Sequence, residues 1–378
     1  MAWRLVGQPG VVAMLEGALR EGRLSHAYLF VGPTQVGKAT AARELAMALN
    51  CRGEDPPCHR CRQCHLIDIG QHPDVEAVRV GGLCEEPDHR DHHIDGSKDI
   101  RICQVRRLER LLSRTPFEGR CRVVIMDPAD ALNVEAANAF LKTLEEPPPS
   151  VVLVLVTSRE ESLPLTVRSR CRRVPFHLMA MADVERALVE RWSAAPEKAA
   201  FLARLSGGRL GWAIAALEDE GLLSAREAAL EDVRRLPGAS LSDRFAYAKR
   251  LASTFSRERD ALFAQFELWE QWWRDLLLAG AGCEELVVNS HHLDKLTEES
   301  REYQLRAVVR FLEALSRTRQ QLQENVNPLL ALEVLMLELP APVIGKEEGF
   351  PEPRRGLSSA GAAEGQAGRA GWKPSMHG

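Results

Sequence analysis

The segment Gly32-Pro33-Thr34-Gln35-Val36-Gly37-Lys38 has the spacing G-x-x-x-x-G-K. It sits between an apolar run, Leu24 to Val31, and a helix-forming stretch, Ala39 to Asn50. Strand, glycine turn and helix N-terminus in that order curl backbone N–H groups around phosphate, and the lysine adds a charge. A chance glycine-rich turn is the weaker reading where strand and helix flank it so directly. The loop therefore commits the first half of the chain to a parallel α/β sheet with phosphate-binding machinery at its C-terminal edge.

A second region supplies the rest of such a machine. Val123-Val124-Ile125-Met126 reads as a buried parallel strand that ends in Asp127. A helix over 134–146 follows, stopped by Pro147-Pro148-Pro149. Val151 to Val156 is another strand, ending in Thr157-Ser158, and a short connection leads to Ser169-Arg170-Cys171. An acid on one strand tip, a hydroxyl on the next and a displayed arginine suit the handling of phosphoryl groups.

Two parts of a hydrolase are missing. The residue after Lys38 is normally Ser or Thr, whose hydroxyl binds the nucleotide's Mg²⁺; here it is Ala39. Thr40 lies about 100° further round the helix and cannot replace it. The acid that polarises the attacking water is expected next to Asp127, where the chain has Pro128, and Asp130 falls in the following turn. Efficient hydrolysis is not expected.

Cys51, Cys58, Cys61 and Cys64 form a C-x6-C-x2-C-x2-C cluster in a loop containing Pro56-Pro57. Paired thiolates at this spacing converge on tetrahedral Zn²⁺, and four of them leave no position for chemistry, so a structural zinc is expected rather than free thiols. The stretch from Val80 to Ile100 carries Cys84, His89, His92 and His93 at no recognised metal spacing and reads as a solvated loop. In a helix over 104–114, Arg106, Arg107, Arg110 and Arg114 lie largely opposite the apolar stripe. Such a face suits DNA phosphates, but plain solvation is the stronger reading.

The net charge of −4 argues against bulk attraction to nucleic acid. No apolar stretch of about 18 residues predicts a membrane span, and the N-terminal residues lack a signal-peptide core. A reducing cytoplasm is expected for the nine cysteines. After Phe176 the pattern becomes helical: 182–192, 197–205 and 209–218 form a small bundle, Leu236-Pro237-Gly238 marks a boundary, and 240–340 hold longer helices. The last of these, 327–339, is apolar nearly all round and is either a domain centre or a subunit seam. From Ile344 to Gly378 the composition predicts disorder.

Taken together, Val6-Gly7-Gln8, Ser25-His26-Ala27-Tyr28-Leu29-Phe30, the four-cysteine insertion, Leu141-Lys142-Thr143-Leu144-Glu145-Glu146-Pro147-Pro148, Ser169-Arg170-Cys171 and Asn325-Val326-Asn327-Pro328 resemble the bacterial clamp-loader AAA+ family over residues 3–340. The resemblance implies an AAA+ P-loop domain (1–178) with a four-cysteine zinc insertion (51–66). It further implies an all-α lid (179–238) and an all-α collar domain (239–340), ahead of a tail at 341–378. It implies membership of a hetero-pentamer with gamma/tau and delta subunits that loads the sliding clamp on primer-template DNA. Arg170 matches that family's trans arginine finger, and Thr157 its phosphate sensor. Gly32, Gly37, Lys38 and Asp127 match the nucleotide site. The lid position of a second sensing arginine falls at Gly211 or Trp212, with Arg209 close by. These losses imply a subunit of a DNA polymerase assembly that itself neither polymerises DNA nor hydrolyses ATP, with binding of ATP or ADP left open. An ATP-hydrolysing motor subunit using Thr40 and Asp130 is the alternative, and a zinc-stapled DNA-binding repair module a more distant one.

Overall fold

The computed structural model describes residues 3–84, 98–324 and 326–343. His89, His92, His93, Asn325 and the tail from Ile344 lie outside them.

Five parallel strands form one sheet in the order β2-β3-β4-β1-β5: β1 Ala27–Val31, β2 Val75–Val78, β3 Arg122–Met126, β4 Val151–Thr157 and β5 Arg172–Pro175. Every residue of β1, β3 and β4 is buried, which explains their unbroken apolar runs: a strand covered on both faces needs no alternation. Tyr28, Phe30, Val123, Ile125, Val152 and Val154 point to one face. There they meet α1 (Pro9–Arg20), α2 (Lys38–Asn50) and α3 (Arg62–Asp68). Ala27, Leu29, Val124, Met126, Leu153 and Leu155 point to the other, against α4 (Ile102–Leu112), α5 (Val134–Glu145) and α6 (Leu165–Arg168). Phe140 of α5 is fully buried there, and its truncation to Ala should cost about 3–5 kcal/mol.

Sequence and structure differ at the sheet's margins. β1 begins at Ala27 rather than Leu24, because the Ser25 hydroxyl donates to the Ala27 carbonyl and its N–H donates to the Tyr28 hydroxyl, making a turn. β2 and β5 carry one buried residue each, Val78 and Val174, so neither shows an apolar run; both are edge strands. The loop between α4 and β3 is held by Asp74. Its carboxylate accepts from the N–H groups of Phe117, Glu118 and Gly119 at 2.7–2.9 Å and from Arg122 at 3.1 Å.

Beyond β5 come α7 (Met181–Trp192), α8 (Pro196–Ser206) and α9 (Leu210–Glu218), which share a small core around Leu188, Leu202 and Ala213. Another core joins α10 (Glu220–Arg235), α11 (Leu241–Arg257), α12 (Arg259–Gly280), α13 (Leu293–Ser300), α14 (Leu305–Gln323) and α15 (Pro328–Leu337). Trp269, Trp272 and Trp273 of α12 are fully buried at its centre, with Phe266 and Phe311 beside them. The apolar circumference of α15 divides in two: Leu332, Leu335 and Met336 are core, while Leu330, Val334 and Leu337 are half-exposed or more. Leu305 and Val309 of α14 are exposed as well.

Candidate functional site

The G-x-x-x-x-G-K loop connects β1 to α2 and forms one wall of a cavity of about 470 Å³. Gly37 caps α2 with φ +98°, a conformation that a side chain would strain. Lys38 starts the helix and is buried; its Nζ donates to the Gly32 carbonyl at 2.6 Å and to that of Pro33. Burial pushes its pKa down to about 8, with Asp127 and Asp130 pulling it back up. The Lys38 ammonium thus spends its donors on carbonyls of its own loop. Across from it, burial pushes the Asp127 carboxyl above its ordinary range, with Lys38 the main opposing charge.

The strand-tip side of the cavity is built from Asp127, Pro128, Thr157 and Ser158. Asp130 stands behind it and holds a closed set of bonds. Thr157 Oγ1 donates to Asp130 Oδ1 at 2.6 Å, and Arg159 grips Asp130 Oδ2 through Nε and Nη2 at 2.9 and 2.6 Å. The same Thr157 hydroxyl accepts from the Arg159 N–H at 2.9 Å. Arg159 also reaches Asp260 of α12 at 3.8 Å and lies over the Phe263 ring. The hydroxyl expected to sense a γ-phosphate, that of Thr157, is thus committed to Asp130, the acid that the alternative motor reading would need.

The opposite wall comes from the α7–α9 bundle. The Gly211 N–H donates to the Gln35 carbonyl at 2.9 Å, and a side chain at 211 would collide with that oxygen. Leu5, Val6, Trp192, Leu210 and Ile214 make this end of the cavity apolar, a slot beside a phosphate loop. Gln8 locks the N-terminal segment in place, donating to the His177 carbonyl at 2.7 Å and accepting from the His177 N–H at 3.3 Å. Arg209 does not enter the cavity: its guanidinium pairs with Glu267 of α12 at 2.9 Å. Nothing local in the sequence signals Trp192, which a distant helix brings in, or the Arg159 bridge, whose partners Asp130 and Asp260 come from other elements.

Arg170 sits just past α6, partly exposed and outside the cavity, donating to the Thr166 carbonyl at 2.8 Å and pairing with Glu145 of α5. The structure thus brings Gly37, Lys38, Asp127 and Thr157 to one cavity, places Gly32 directly beside it, and puts Arg170 on the surface. On α4, Arg107 turns aside to Glu76, while Arg106, Arg110 and, just beyond the helix, Arg114 are exposed.

Cys51 follows the end of α2, Cys58 lies in the next loop, and Cys61 and Cys64 open α3. Their four sulfurs lie within 4.8 Å of one another, and those of Cys51 and Cys61 are 4.0 Å apart. Tetrahedral bonds of ~2.3 Å separate sulfurs by about 3.8 Å, so the cluster can hold a metal ion. The N–H groups of Gly53, Cys58 and Cys61 point at these sulfurs at 3.3–3.4 Å, as expected around thiolates.

A family model described as DNA polymerase III, delta subunit, matches residues 7–180. A DNA polymerase III subunit delta' of Bacillus subtilis is 27% identical over 336 residues, 88% of this chain and 96% of that protein. One from Pseudomonas aeruginosa is 34% identical over 218 residues, 56% of this chain and 61% of its own length. A Bacillus subtilis DNA polymerase III subunit tau is 27% identical over 364 residues; the chain spans 60% of that longer protein. Among the described residues no helix is long and apolar enough to cross a membrane.

Proposed function

We infer that the chain belongs with the delta' and tau subunits of DNA polymerase III, is a delta' subunit of a bacterial clamp loader and serves it as a non-hydrolysing stator. One observation carries the stator reading. The binding half of the nucleotide cleft is intact at Gly32, Gly37 and Lys38, while Thr157, Asp130 and Arg159 are bonded to one another and Ala39 and Pro128 replace two working groups. A nucleotide's phosphates would meet Lys38 and the loop N–H groups, and its base the slot beside Trp192. Pro128 stands where the water-polarising acid would be.

In this reading Arg170 works outside its own chain. A guanidinium parked on Glu145 at the surface can exchange that carboxylate for the γ-phosphate of a neighbouring subunit's ATP and stabilise charge as the phosphoryl group transfers. The α7–α9 bundle acts as the lid; α10, which the 179–238 bounds would give to the lid, packs with α11–α15 and acts with them as the collar, and the exposed apolar residues of α14 and α15 pack against ring neighbours of the gamma/tau and delta kind. Cys51, Cys58, Cys61 and Cys64 would hold a structural Zn²⁺; a closed four-cysteine site supplies folding energy and no open position for chemistry. The assembly acts on the sliding clamp and primer-template DNA in the cytoplasm, with the exposed arginines along α4 facing the phosphates.

The test is Arg170→Ala in the reconstituted loader. Assembly should be unchanged, and turnover at the site the arginine serves should fall on the order of 10³-fold. Unchanged ATPase would sink the stator reading. The similarity to tau over 89% of the chain supports a second reading, a motor subunit. That reading requires steady ATP turnover by the purified chain, abolished by Lys38→Ala.

A further inference from the structure

Glu227 of α10 faces two consecutive histidines from a different part of the chain, in the short turn that precedes α13. His292 Nε2 bonds Glu227 Oε1, and His291 Nε2 stands 3.6 Å from Glu227 Oε2. One donor atom from each of the three residues lies within 4.8 Å of the others. Neighbouring donors around a tetrahedral ion with bonds of ~2.0–2.2 Å are separated by about 3.3 Å, so small rotations complete the set. We propose that Glu227, His291 and His292 form a site for a divalent transition-metal ion of the zinc class, separate from the four cysteines.

The turn is built to present its rings. Asp275 of α12 is fully buried, and its carboxylate accepts from the N–H groups of Val288 at 3.0 Å and Asn289 at 2.7 Å and from the Asn289 side chain at 2.8 Å. The His292 N–H then donates to the Asn289 carbonyl at 2.9 Å, which fixes the turn where the imidazoles begin. Each ring is also steered by an aromatic edge, His291 by Phe201 of α8 and His292 by Trp272 of α12. Arg226, the nearest cation in sequence, is directed elsewhere: its guanidinium donates to Asn289 at 2.8 Å and Gln271 at 3.1 Å. Imidazole and carboxylate donors suit Zn²⁺, Co²⁺ and Ni²⁺. All three side chains keep some exposure, which leaves a fourth position for water and a path for the ion. Such an ion would pin α10 to the turn 290–292, while Phe201 brings α8 to the same point.

The experiment uses the full chain with its cysteine cluster already loaded with Zn²⁺, titrated with Co²⁺ and followed by visible absorption and thermal unfolding. The site predicts one further equivalent with weak nitrogen/oxygen-type bands, no thiolate charge-transfer band, and a higher unfolding midpoint. Loss of an outer partner typically weakens a metal site ~10–100-fold, so His292→Ala and Glu227→Gln, which remove donors themselves, should weaken it at least that much. Co²⁺ appearing only with thiolate bands, or failing to bind, overturns the proposal. So does binding that both variants leave unchanged. Because the readout is on the wild-type chain first, a variant that misfolds does not shield the idea.

Discussion

The two sides of the proposed nucleotide cleft are built from neighbouring strands yet have opposite characters. On the loop side, after β1, the Lys38 ammonium is held by the carbonyls of Gly32 and Pro33, from which a phosphate can draw it. On the strand-tip side, after β3 and β4, Thr157, Asp130 and Arg159 saturate one another and Arg159 extends the set to α12. Hydrogen bonds within a buried network are costly to break one at a time. The loop side is therefore poised to accept a ligand, and the strand-tip side is committed to structure.

The sharpest way to break this contrast is Asp130→Ala. Asp130 is almost completely buried and Arg159 largely so; removing the acid strands a guanidinium and should cost about 3 kcal/mol, read from urea unfolding followed by circular dichroism. A stability within experimental error of the parent would mean the network is not structural. On the loop side, Lys38→Ala should weaken ADP binding by ~10–100-fold, the worth of a lost charge-assisted bond, in calorimetric titration. Equal affinity in parent and variant would show that the loop does not cradle phosphate.

Next in size is a pH effect. Phosphate prefers the charged lysine, and in the free protein burial holds Lys38 at about 8. Below that pH the ammonium is already in place and affinity should be flat. Above it, binding must take up a proton, so affinity should drop by up to ~10-fold per pH unit until the bound-state pKa is reached. An affinity that stays level well above that pH contradicts a charged Lys38 as the anchor. The smallest effect belongs to Ala39→Ser. Restoring a hydroxyl beside Mg²⁺ should tighten Mg·ATP a few-fold, about 1 kcal/mol, and still give no turnover, because Thr157 and Asp130 remain engaged with each other. Turnover from this single change would erase the distinction between the two sides.

The same contrast marks what the residues disclose before any coordinates. The loop side was legible because its information is contiguous: seven residues, one strand before, one helix after. β1, β3 and β4 were legible because burial on both faces writes itself as an apolar run. β2 and β5 were not, since a single buried residue among polar ones has no period to detect. The missing Ala39 and Pro128 functions could be read directly, but the closure of Thr157 onto Asp130 could not, nor could the diversion of Arg209 to Glu267. The first joins residues 27 apart in the chain and the second reaches α12, far along the chain from Arg209, and both turn on rotamers that packing selects. The cysteine spacing announced its cluster; Glu227 with His291 and His292 had no spacing to announce, being joined only by the fold of the turn onto α10.

The placement of the tryptophans gives the molecule an optical gauge of its own. Within the described residues the sheet region holds only Trp3, Trp192 and Trp212 belong to the α7–α9 bundle with Trp192 bordering the cleft, and Trp269, Trp272 and Trp273 lie together at the centre of the C-terminal bundle. Emission from the buried trio should be blue and should redden only when that bundle melts, whatever happens to the sheet. Trp192, by contrast, borders the cleft, so under the proposed nucleotide reading its quenching would register a base entering the slot. One unlabelled sample thus separates occupancy of the cleft from the integrity of the helices that carry it.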